Sequence, residues 1–160
     1  MYSLAMITNS TKETMRFGSQ LAKYLKSGDI ICLYGDLGSG KTTLVKGVAH
    51  GLKIADKKVN SPTFVLLNIY EGKLPLYHFD FYRLENTKEI AAIGYDEFIY
   101  GNGVAMIEWA ERFKDLLPLE HLHVDISFEG DTQRVLKFTA KGKRYEEILG
   151  KLEHHEHSRH

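Results

Sequence analysis

The chain has 160 residues, with 21 Lys and Arg balancing 21 Asp and Glu, eight His, one Cys and 43% apolar residues. This length fits one domain, and the apolar and charged fractions are those of a globular protein rather than a disordered one. The zero net charge removes the simplest argument for a nucleic-acid coat or a membrane-surface binder. Cys32 cannot form an internal disulfide, and its place in an apolar run predicts a buried thiol in a reducing compartment.

The two ends of the chain bear on localisation and domain organisation. No apolar run approaches the roughly 18 residues needed to cross a bilayer, and the N-terminus lacks the features of a signal peptide, so we expect a cytoplasmic protein. We expect residues 1–151 to form a single domain. Residues 152–160 hold four of the eight histidines and could be a metal-binding tract, a frayed tail or a tag remnant. We expect this tail to be disordered or tag-like, without a native function.

The first predicted elements are a helix and a strand. Ser10 and Glu13 have the spacing of a capping box, apolar residues recur at helical spacing to Leu25, and Gly28 supplies a stop. The continuous apolar run Ile30–Tyr34 is typical of a strand that is covered on both faces.

The rest of the chain alternates predicted helices and strands. In chain order, we predict a helix at 41–52, a hairpin of strands at 64–70 and 74–79, a short helix capped by Asn86, a buried strand at 104–107, a helix ending at Leu117, strands at 122–128 and 135–139, and an amphipathic helix at 144–152. This order predicts an α/β domain of three layers, in which the hairpins make the central sheet mixed rather than purely parallel.

A glycine-rich motif links the strand at 30–34 to the helix at 41–52. It matches the phosphate-binding pattern G-x-x-x-x-G-K-[ST] between Gly35 and Thr42. Its glycines allow a sharp turn that brings N–H groups to phosphate oxygens, and the following helix presents its positive end. Lys41 is expected to bind the β- and γ-phosphates and Thr42 to ligate Mg²⁺. The predicted nucleotide-binding residues of the motif are Asp36, Leu37, Gly38, Ser39, Gly40, Lys41 and Thr42.

The sequence favours adenine over guanine as the base. A guanine-specific site carries Asn/Thr-Lys-x-Asp after a later strand. The Thr-Lys pairs at 11–14 and 87–90 both lack the final Asp. ATP, with ADP as its product, is therefore the expected nucleotide.

Two acidic residues end apolar runs, where an α/β sheet binds ligands. Asp80 follows the strand at 74–79, and Glu108 follows the strand at 104–107. Carboxylates at neighbouring strand ends can hold Mg²⁺ and its waters, so both are expected in the metal site. His78 is expected to face away from Asp80, in a structural role. Trp109 is expected either to pack beside the strand end or to form a stacking or partner surface near the nucleotide.

Four segments together are similar to one protein family. Gly35–Leu44 (GDLGSGKTTL), Ser61–Phe64 (SPTF), His78–Leu84 (HFDFYRL) and Ile107–Glu111 (IEWAE) resemble, in this order, the motifs of the bacterial TsaE family, formerly YjeE. The resemblance covers about residues 10–134. It implies a three-layer P-loop NTPase fold.

The resemblance also implies a function. TsaE proteins are small P-loop ATPases of the bacterial cytoplasm, required to form N6-threonylcarbamoyladenosine (t6A) at position 37 of tRNAs that read codons beginning with A. They bind the TsaB–TsaD heterodimer and drive or reset it by binding ATP and hydrolysing it to ADP. Hydrolysis is expected to be slow, to need Mg²⁺ and to be stimulated by the partner. The tRNA is reached only through that complex, and neither a membrane nor DNA is an expected partner.

The resemblance assigns roles to individual residues. Lys41, Asp80 and Glu108 are the expected catalytic residues, and Thr42, Asp80 and Glu108 are the expected metal ligands. The remaining expected contacts are Thr11 at the nucleotide, Thr43 behind the phosphate loop, Thr63 at the γ-phosphate, Trp109 beside the active site and Arg134 at the nucleotide. From spacing alone, the segment with Thr63 could equally be a turn before a strand.

Two other functions fit a phosphate-binding loop. A small-molecule kinase would need an acceptor pocket and an arginine-bearing lid, and the few scattered arginines disfavour a lid. A nucleotide-gated binding module would bind Mg-ATP and leave it intact. The presence of both Asp80 and Glu108 favours hydrolysis over such a module.

Overall fold

The computed structural model describes residues 2–36, 38–55, 59 and 66–158, which form a mixed sheet flanked by helices. Its strands are β1 (Ser3–Thr8), β2 (Ile30–Tyr34), β3 (Leu67–Tyr70), β4 (Leu76–Asp80), β5 (Val104–Glu108), β6 (His121–Phe128) and β7 (Arg134–Lys141). Its helices are α1 (Thr11–Ala22), α2 (Lys41–Gly51), α3 (Thr87–Ala92), α4 (Tyr95–Ile99) and α5 (Lys143–Ser158), with a 3-10 helix at Ala110–Leu116.

The strands follow the order β1-β7-β6-β2-β5-β4-β3 across the sheet. The four central strands are parallel: β2 runs parallel to both β6 and β5, and β5 runs parallel to β4. The outer pairs β1–β7, β6–β7 and β3–β4 are antiparallel. The carboxyl ends of the central strands therefore share one edge, which is where ligands bind in open α/β sheets. The predicted α/β fold with a mixed sheet is confirmed.

Two buried clusters cover the two faces of the sheet and give the three predicted layers. Ile31 and Leu33 of β2 belong to the cluster that packs against α1, α2 and α5. Ile30 and Cys32 belong to the cluster formed with α3, α4 and the 3-10 helix. The Cys32 side chain is fully buried, and burial raises the pKa of its thiol.

Glycines let α1 approach α2 closely. A Cβ atom on Gly47 would lie 2.4 Å from the carbonyl oxygen of Met15, and one on Gly18 would lie 2.9 Å from the Cα of Gly47. The Ser19 hydroxyl donates a hydrogen bond of 2.9 Å to the Gly47 carbonyl. This contact fixes the position of α2, the helix that follows the glycine-rich motif.

Several element boundaries differ from the sequence predictions. The first helix begins as predicted, with the Ser10 side chain accepting a hydrogen bond from the Glu13 N–H, but it ends at Ala22 rather than Leu25. Leu25 is buried although it lies beyond the end of the helix, so an apolar residue at helical spacing was taken as part of the helix. The predicted helix before Pro118 is a 3-10 helix interrupted by non-helical backbone at Phe113.

Two elements were absent from the sequence predictions. Strand β1 lies at the sheet edge and pairs only with β7 among the described strands, and its side chains are at most half-buried until Thr8, which leaves a weak pattern. Helix α4 begins after Gly94 and has only five residues, which is too short for a helical repeat of apolar residues to show in the sequence. None of the described helices has both the length and the apolar character that a membrane span requires.

The C-terminal helix is longer than predicted. Helix α5 continues past Leu152, the predicted helix end, to Ser158. No Gly or Pro follows Leu152 to end the helix, and Leu152 itself is fully buried. The Tyr2 hydroxyl donates a hydrogen bond to the Glu153 carboxylate, which ties this helix to the start of β1.

Gly47→Ala is expected to lower the free energy of unfolding by about 1–3 kcal/mol, because the added methyl group must displace the backbone of α1. Gly150→Ala in α5 is the matched control, since a Cβ atom there has no neighbour within 4 Å. Its effect should be a gain of roughly 0.5–1 kcal/mol, because alanine is the better helix former. Urea denaturation measures both changes, and a Gly47→Ala protein as stable as its parent would contradict the close approach.

Candidate nucleotide-binding site

The loop between β2 and α2 has a backbone that only glycine adopts readily. Gly35, Gly38 and Gly40 have φ angles of 145°, 78° and 117°. A Cβ atom on Gly35 would also lie 2.5 Å from the carbonyl oxygen of Ile126 and 2.7 Å from the Ser39 hydroxyl. The loop thus turns sharply into the N-terminus of α2, which is the geometry that directs N–H groups toward an anion.

Lys41 is held at the mouth of this loop. Its ammonium donates hydrogen bonds to the carbonyl oxygens of Gly35 and Asp36, the latter at 3.2 Å. The same ammonium lies 3.8 Å from the centre of the Trp109 ring. Lys41 is 4% exposed, and this burial lowers its pKa, while the nearby charge of Glu108 acts in the opposite direction. A buried cation beside the loop is suited to a polyanionic ligand.

Glu108 joins the end of β5 to the first turn of α2. The Thr42 hydroxyl lies 3.0 Å from each of its carboxylate oxygens and donates to them. On its other side, Nε2 of His78 lies 2.5 Å from Oε2 of Glu108. The expectation that His78 faces away from the site is wrong, because residues two apart on a strand share a face and His78 is two residues before Asp80.

Asp80 is the in-register neighbour of Glu108 across β4 and β5. Its Oδ1 accepts a hydrogen bond of 2.9 Å from the Tyr82 N–H. Burial raises the pKa of the Asp80 carboxyl, the Tyr82 N–H opposes this rise, and the Glu108 charge adds to it. Two buried carboxylates side by side therefore form a negative centre that a divalent cation would neutralise.

The donor set fits Mg²⁺. The Thr42 hydroxyl and the carboxylates of Asp80 and Glu108 are hard oxygen ligands, which Mg²⁺ prefers. Within the described residues, no group of three or more His, Cys, Asp or Glu side chains is placed to hold a metal by itself.

Two adjoining clefts extend from the loop. The first has a volume of about 160 Å³ and is lined by Lys41, Thr42, Glu108 and Trp109. The second has a volume of about 240 Å³, and its lining residues include Ser10, Thr11, Thr14, Asp131, Thr132 and Arg134. Gly38, Gly40 and Thr43 line both clefts. The two clefts therefore meet at the phosphate loop.

Arg134 braces the second cleft against the loop. Its Nε donates a hydrogen bond of 2.9 Å to the Ser39 carbonyl, and its guanidinium lies 4.3 Å from the centre of the Phe128 ring. Ser39 is 1% exposed, and its hydroxyl has no hydrogen-bond partner among the described residues.

Trp109 turns the chain over the site directly after β5. Its backbone has φ 59° and ψ 39°, a left-handed conformation that is rare outside glycine. The ring lies beside Tyr82, with centroids 4.8 Å apart, and over the Lys41 ammonium. Arg112 steadies the facing segment by donating to the carbonyl oxygens of Tyr82 and Leu84. The Trp109 ring packs against the buried cluster that contains Phe79 and Phe81, and it also lines the first cleft.

Most of the predicted site residues meet in these two clefts. Asp36 contributes its carbonyl oxygen to Lys41, while its side chain is exposed. Leu37 and Thr63 lie outside the described residues. His78 is the site residue that the sequence interpretation missed, and the alternation of β4 was the signal that could have found it.

The class of protein follows from the sheet and the loop. A P-loop NTPase is defined by this phosphate loop between a buried parallel strand and the following helix, with acidic residues at the neighbouring strand ends. The family model of the "Threonylcarbamoyl adenosine biosynthesis protein TsaE" matches residues 8–136. The chain therefore belongs to the TsaE family, which confirms the resemblance.

Relatives and a solved structure agree with this assignment. The chain is 43% identical over 157 residues to the tRNA threonylcarbamoyladenosine biosynthesis protein TsaE of Bacillus subtilis (strain 168), covering 98% of both chains. It is 40% identical over 128 residues to the protein of the same name from Treponema pallidum (strain Nichols), covering 80% of this chain and 94% of that protein. The crystal structure of Bacillus subtilis YdiB matches with a TM-score of 0.81 at 37% identity, covering 97% of each chain.

Asp80→Asn is expected to stabilise the protein at neutral pH. The pKa of Asp80 in the folded protein lies above its ordinary value of 3.8. The free energy of unfolding of the parent protein therefore falls as the pH rises from 3.8 through the folded-state pKa, because the folded protein must give up a proton that it binds more tightly than the unfolded chain does. Asparagine keeps the acceptor for the Tyr82 N–H and carries no charge. In urea denaturation, the midpoint of the variant should exceed that of the parent at pH 7, and the two should converge toward pH 3.8. A difference that is constant with pH would contradict the burial of a charged Asp80.

Proposed function

We propose that this protein binds ATP with Mg²⁺ in the two adjoining clefts and hydrolyses it to ADP. The observation that carries the proposal is the convergence of Lys41, Thr42 and Glu108 at one phosphate loop. The Thr42 hydroxyl bonds to Glu108 at 3.0 Å, and Lys41 lies buried beside the loop carbonyls. Family membership supports nucleotide hydrolysis in general, and the chemistry of these side chains supports its finer form.

Each side chain has a role in this proposal. The loop N–H groups and the Lys41 ammonium bind the phosphate oxygens, which carry most of the charge in phosphoryl transfer. Thr42, Asp80 and Glu108 are the groups that would hold Mg²⁺, which neutralises phosphate charge when bound. Asp80, whose carboxyl pKa is raised by burial, orients the attacking water or the metal shell.

The second cleft is suited to the nucleoside. It lies between the start of α1, represented by Thr11, and the turn that precedes β7, represented by Arg134. Both residues are proposed nucleotide contacts, together with Thr43 where the two clefts meet. Thr63 is proposed as a γ-phosphate contact on the family resemblance alone. No guanine motif is present in the sequence, which supports adenine.

We further infer a role in t6A formation. The matching family and the relatives from Bacillus subtilis and Treponema pallidum are named for threonylcarbamoyladenosine biosynthesis. In this role the protein would act in the bacterial cytoplasm on a TsaB–TsaD heterodimer, which ATP turnover drives or resets. The tRNA would be reached through that complex, without membrane or DNA contact.

The kinase alternative has little support in the arginine side chains. Arg112 donates to the carbonyl oxygens of Tyr82 and Leu84, and Arg144 forms a paired contact with the buried Asp29. Side chains committed in this way are not available to a phosphate-binding lid. The binding-module alternative remains an outcome of the hydrolysis experiment below.

Lys41→Ala and Glu108→Gln are expected to affect binding and turnover differently. Loss of the Lys41 ammonium should weaken ATP binding with and without Mg²⁺, whereas Glu108→Gln should retain metal-free binding. Both should reduce phosphate release at least about 100-fold, because each removes electrostatic stabilisation of the reacting phosphate or its metal. Trp109 fluorescence reports binding, and single-turnover assays report cleavage. If the parent protein leaves ATP uncleaved at saturating partner, the binding-module alternative is favoured. If Glu108→Gln cleaves ATP as fast as the parent protein, the proposed role of Glu108 is refuted.

The role in t6A formation is tested by reconstitution. With TsaB–TsaD, tRNA and the threonylcarbamoyl donor, added protein is expected to increase the number of t6A groups formed per complex under multiple turnover. Lys41→Ala is the control, because it lacks the phosphate-binding cation, and circular dichroism checks that the variant is folded. Yields equal to those of TsaB–TsaD alone would overturn the t6A role while leaving ATP hydrolysis intact.

A further inference from the structure

We propose that His78 is a positioning residue that orients the Glu108 carboxylate for the metal site. This inference rests on the proposed function, since it concerns how the same site is built. His78 is fully buried on β4, and its Nε2 lies 2.5 Å from Oε2 of Glu108 on β5. The Thr42 hydroxyl contacts the same carboxylate from α2.

The chemistry of the contact fixes the direction of the hydrogen bond. An ionised carboxylate only accepts, so Nε2 of His78 must carry the proton that it donates to Glu108. Nδ1 of His78 is buried and has no hydrogen-bond partner among the described residues. The Nε2–H of His78 is therefore the donor that holds the Glu108 carboxylate.

The surroundings of His78 argue that its polarity serves the site. Two neighbours of His78 belong to the apolar cluster under α2. They are Leu76, on the same face of β4, and Met106, which pairs in register with His78 on β5. Burying an imidazole with one nitrogen unpartnered costs stability that an apolar residue would not cost. Among the described residues, the His78 side chain has its hydrogen bond with Glu108, and that bond accounts for a histidine at this position.

Two donors from different elements then define the carboxylate plane of Glu108. His78 occupies Oε2, while the single hydrogen of Thr42 is shared between Oε1 and Oε2. The remaining lone pairs of Oε1 and of the Thr42 oxygen stay available to a cation. Hydrogen-bond partners of metal ligands commonly change metal affinity by about 10–100-fold when they are removed.

The test compares variants that differ in one donor. His78→Gln places an amide N–H within reach of Glu108, His78→Leu fills the space without a donor, and His78→Asn keeps an amide too short to reach. Mn²⁺ binding in the presence of ADP, followed by electron paramagnetic resonance, gives a readout that does not depend on activity. The Mn²⁺ affinity should fall about tenfold in His78→Leu and His78→Asn and stay within about threefold in His78→Gln.

Two controls separate positioning from packing. Phe79→Leu alters a fully buried residue of the same strand on the opposite face, and it should lower stability without changing Mn²⁺ affinity. Metal-free ADP binding, read from Trp109 fluorescence, should be the same in all variants. If His78→Leu does not fold, the comparison of His78→Gln with His78→Asn decides the question.

Each result bears on a different claim. Equal Mn²⁺ affinity in the parent, His78→Gln and His78→Asn would overturn the positioning role and leave the proposed function standing. A loss in Phe79→Leu as large as that in His78→Asn would overturn it as well, since packing would then explain both. A parent protein that binds neither metal nor nucleotide would overturn the proposed function itself, and the His78 role with it.

Discussion

The site depends on one hydrogen bond, which joins the end of β5 to the start of α2 through the carboxylate of Glu108 and the hydroxyl of Thr42. These two groups come from elements that are far apart in sequence, and only the parallel pairing of β2 with β5 brings them together. Once this bond is in place, the phosphate loop, the cation of Lys41 and the second acid Asp80 are all within one small volume. The register of the sheet is therefore as much a part of the site as any side chain.

Concentrating charge in this volume has a cost. Lys41, Asp80 and Glu108 are each at most 6% exposed, and burial disfavours the charged forms of Lys41 and Asp80, as their opposite pKa shifts indicate. The Lys41 ammonium donates to loop carbonyls, and within the described part of the chain it has no carboxylate ion pair, so its charge is left for a ligand. Buried charges of both signs are stabilised most by a ligand that brings negative phosphates to Lys41 and a positive metal ion to Asp80 and Glu108.

Helix caps and continuous apolar runs, which depend on residues close together in the sequence, predicted their elements correctly. The Ser10 cap and the Asn86 cap bond to the N–H groups three residues on, and the Ile30–Tyr34 strand has the predicted bounds. The sheet edge β1 was not predicted, because its alternation is shallow and its partner β7 lies over a hundred residues away. The orientation of His78 was predicted wrongly, because residues two apart on a strand share a face and His78 therefore lies on the same face as Asp80. The shape of the second cleft could not be predicted, because it forms only where α1 meets the turn before β7.

The segment that the family model matches, residues 8–136, contains both clefts. It begins at Thr8, whose hydroxyl shares a hydrogen bond of 2.7 Å with Thr14 at the wall of the second cleft. It ends at Leu136, just past Arg134, which braces the opposite wall against the Ser39 carbonyl. The matched segment thus includes both walls of the second cleft, and Glu108 of the first cleft together with its neighbour Asp80. Helix α5 lies outside it and packs on β1 and β7 away from the loop, where burial of Leu152 contributes stability rather than chemistry.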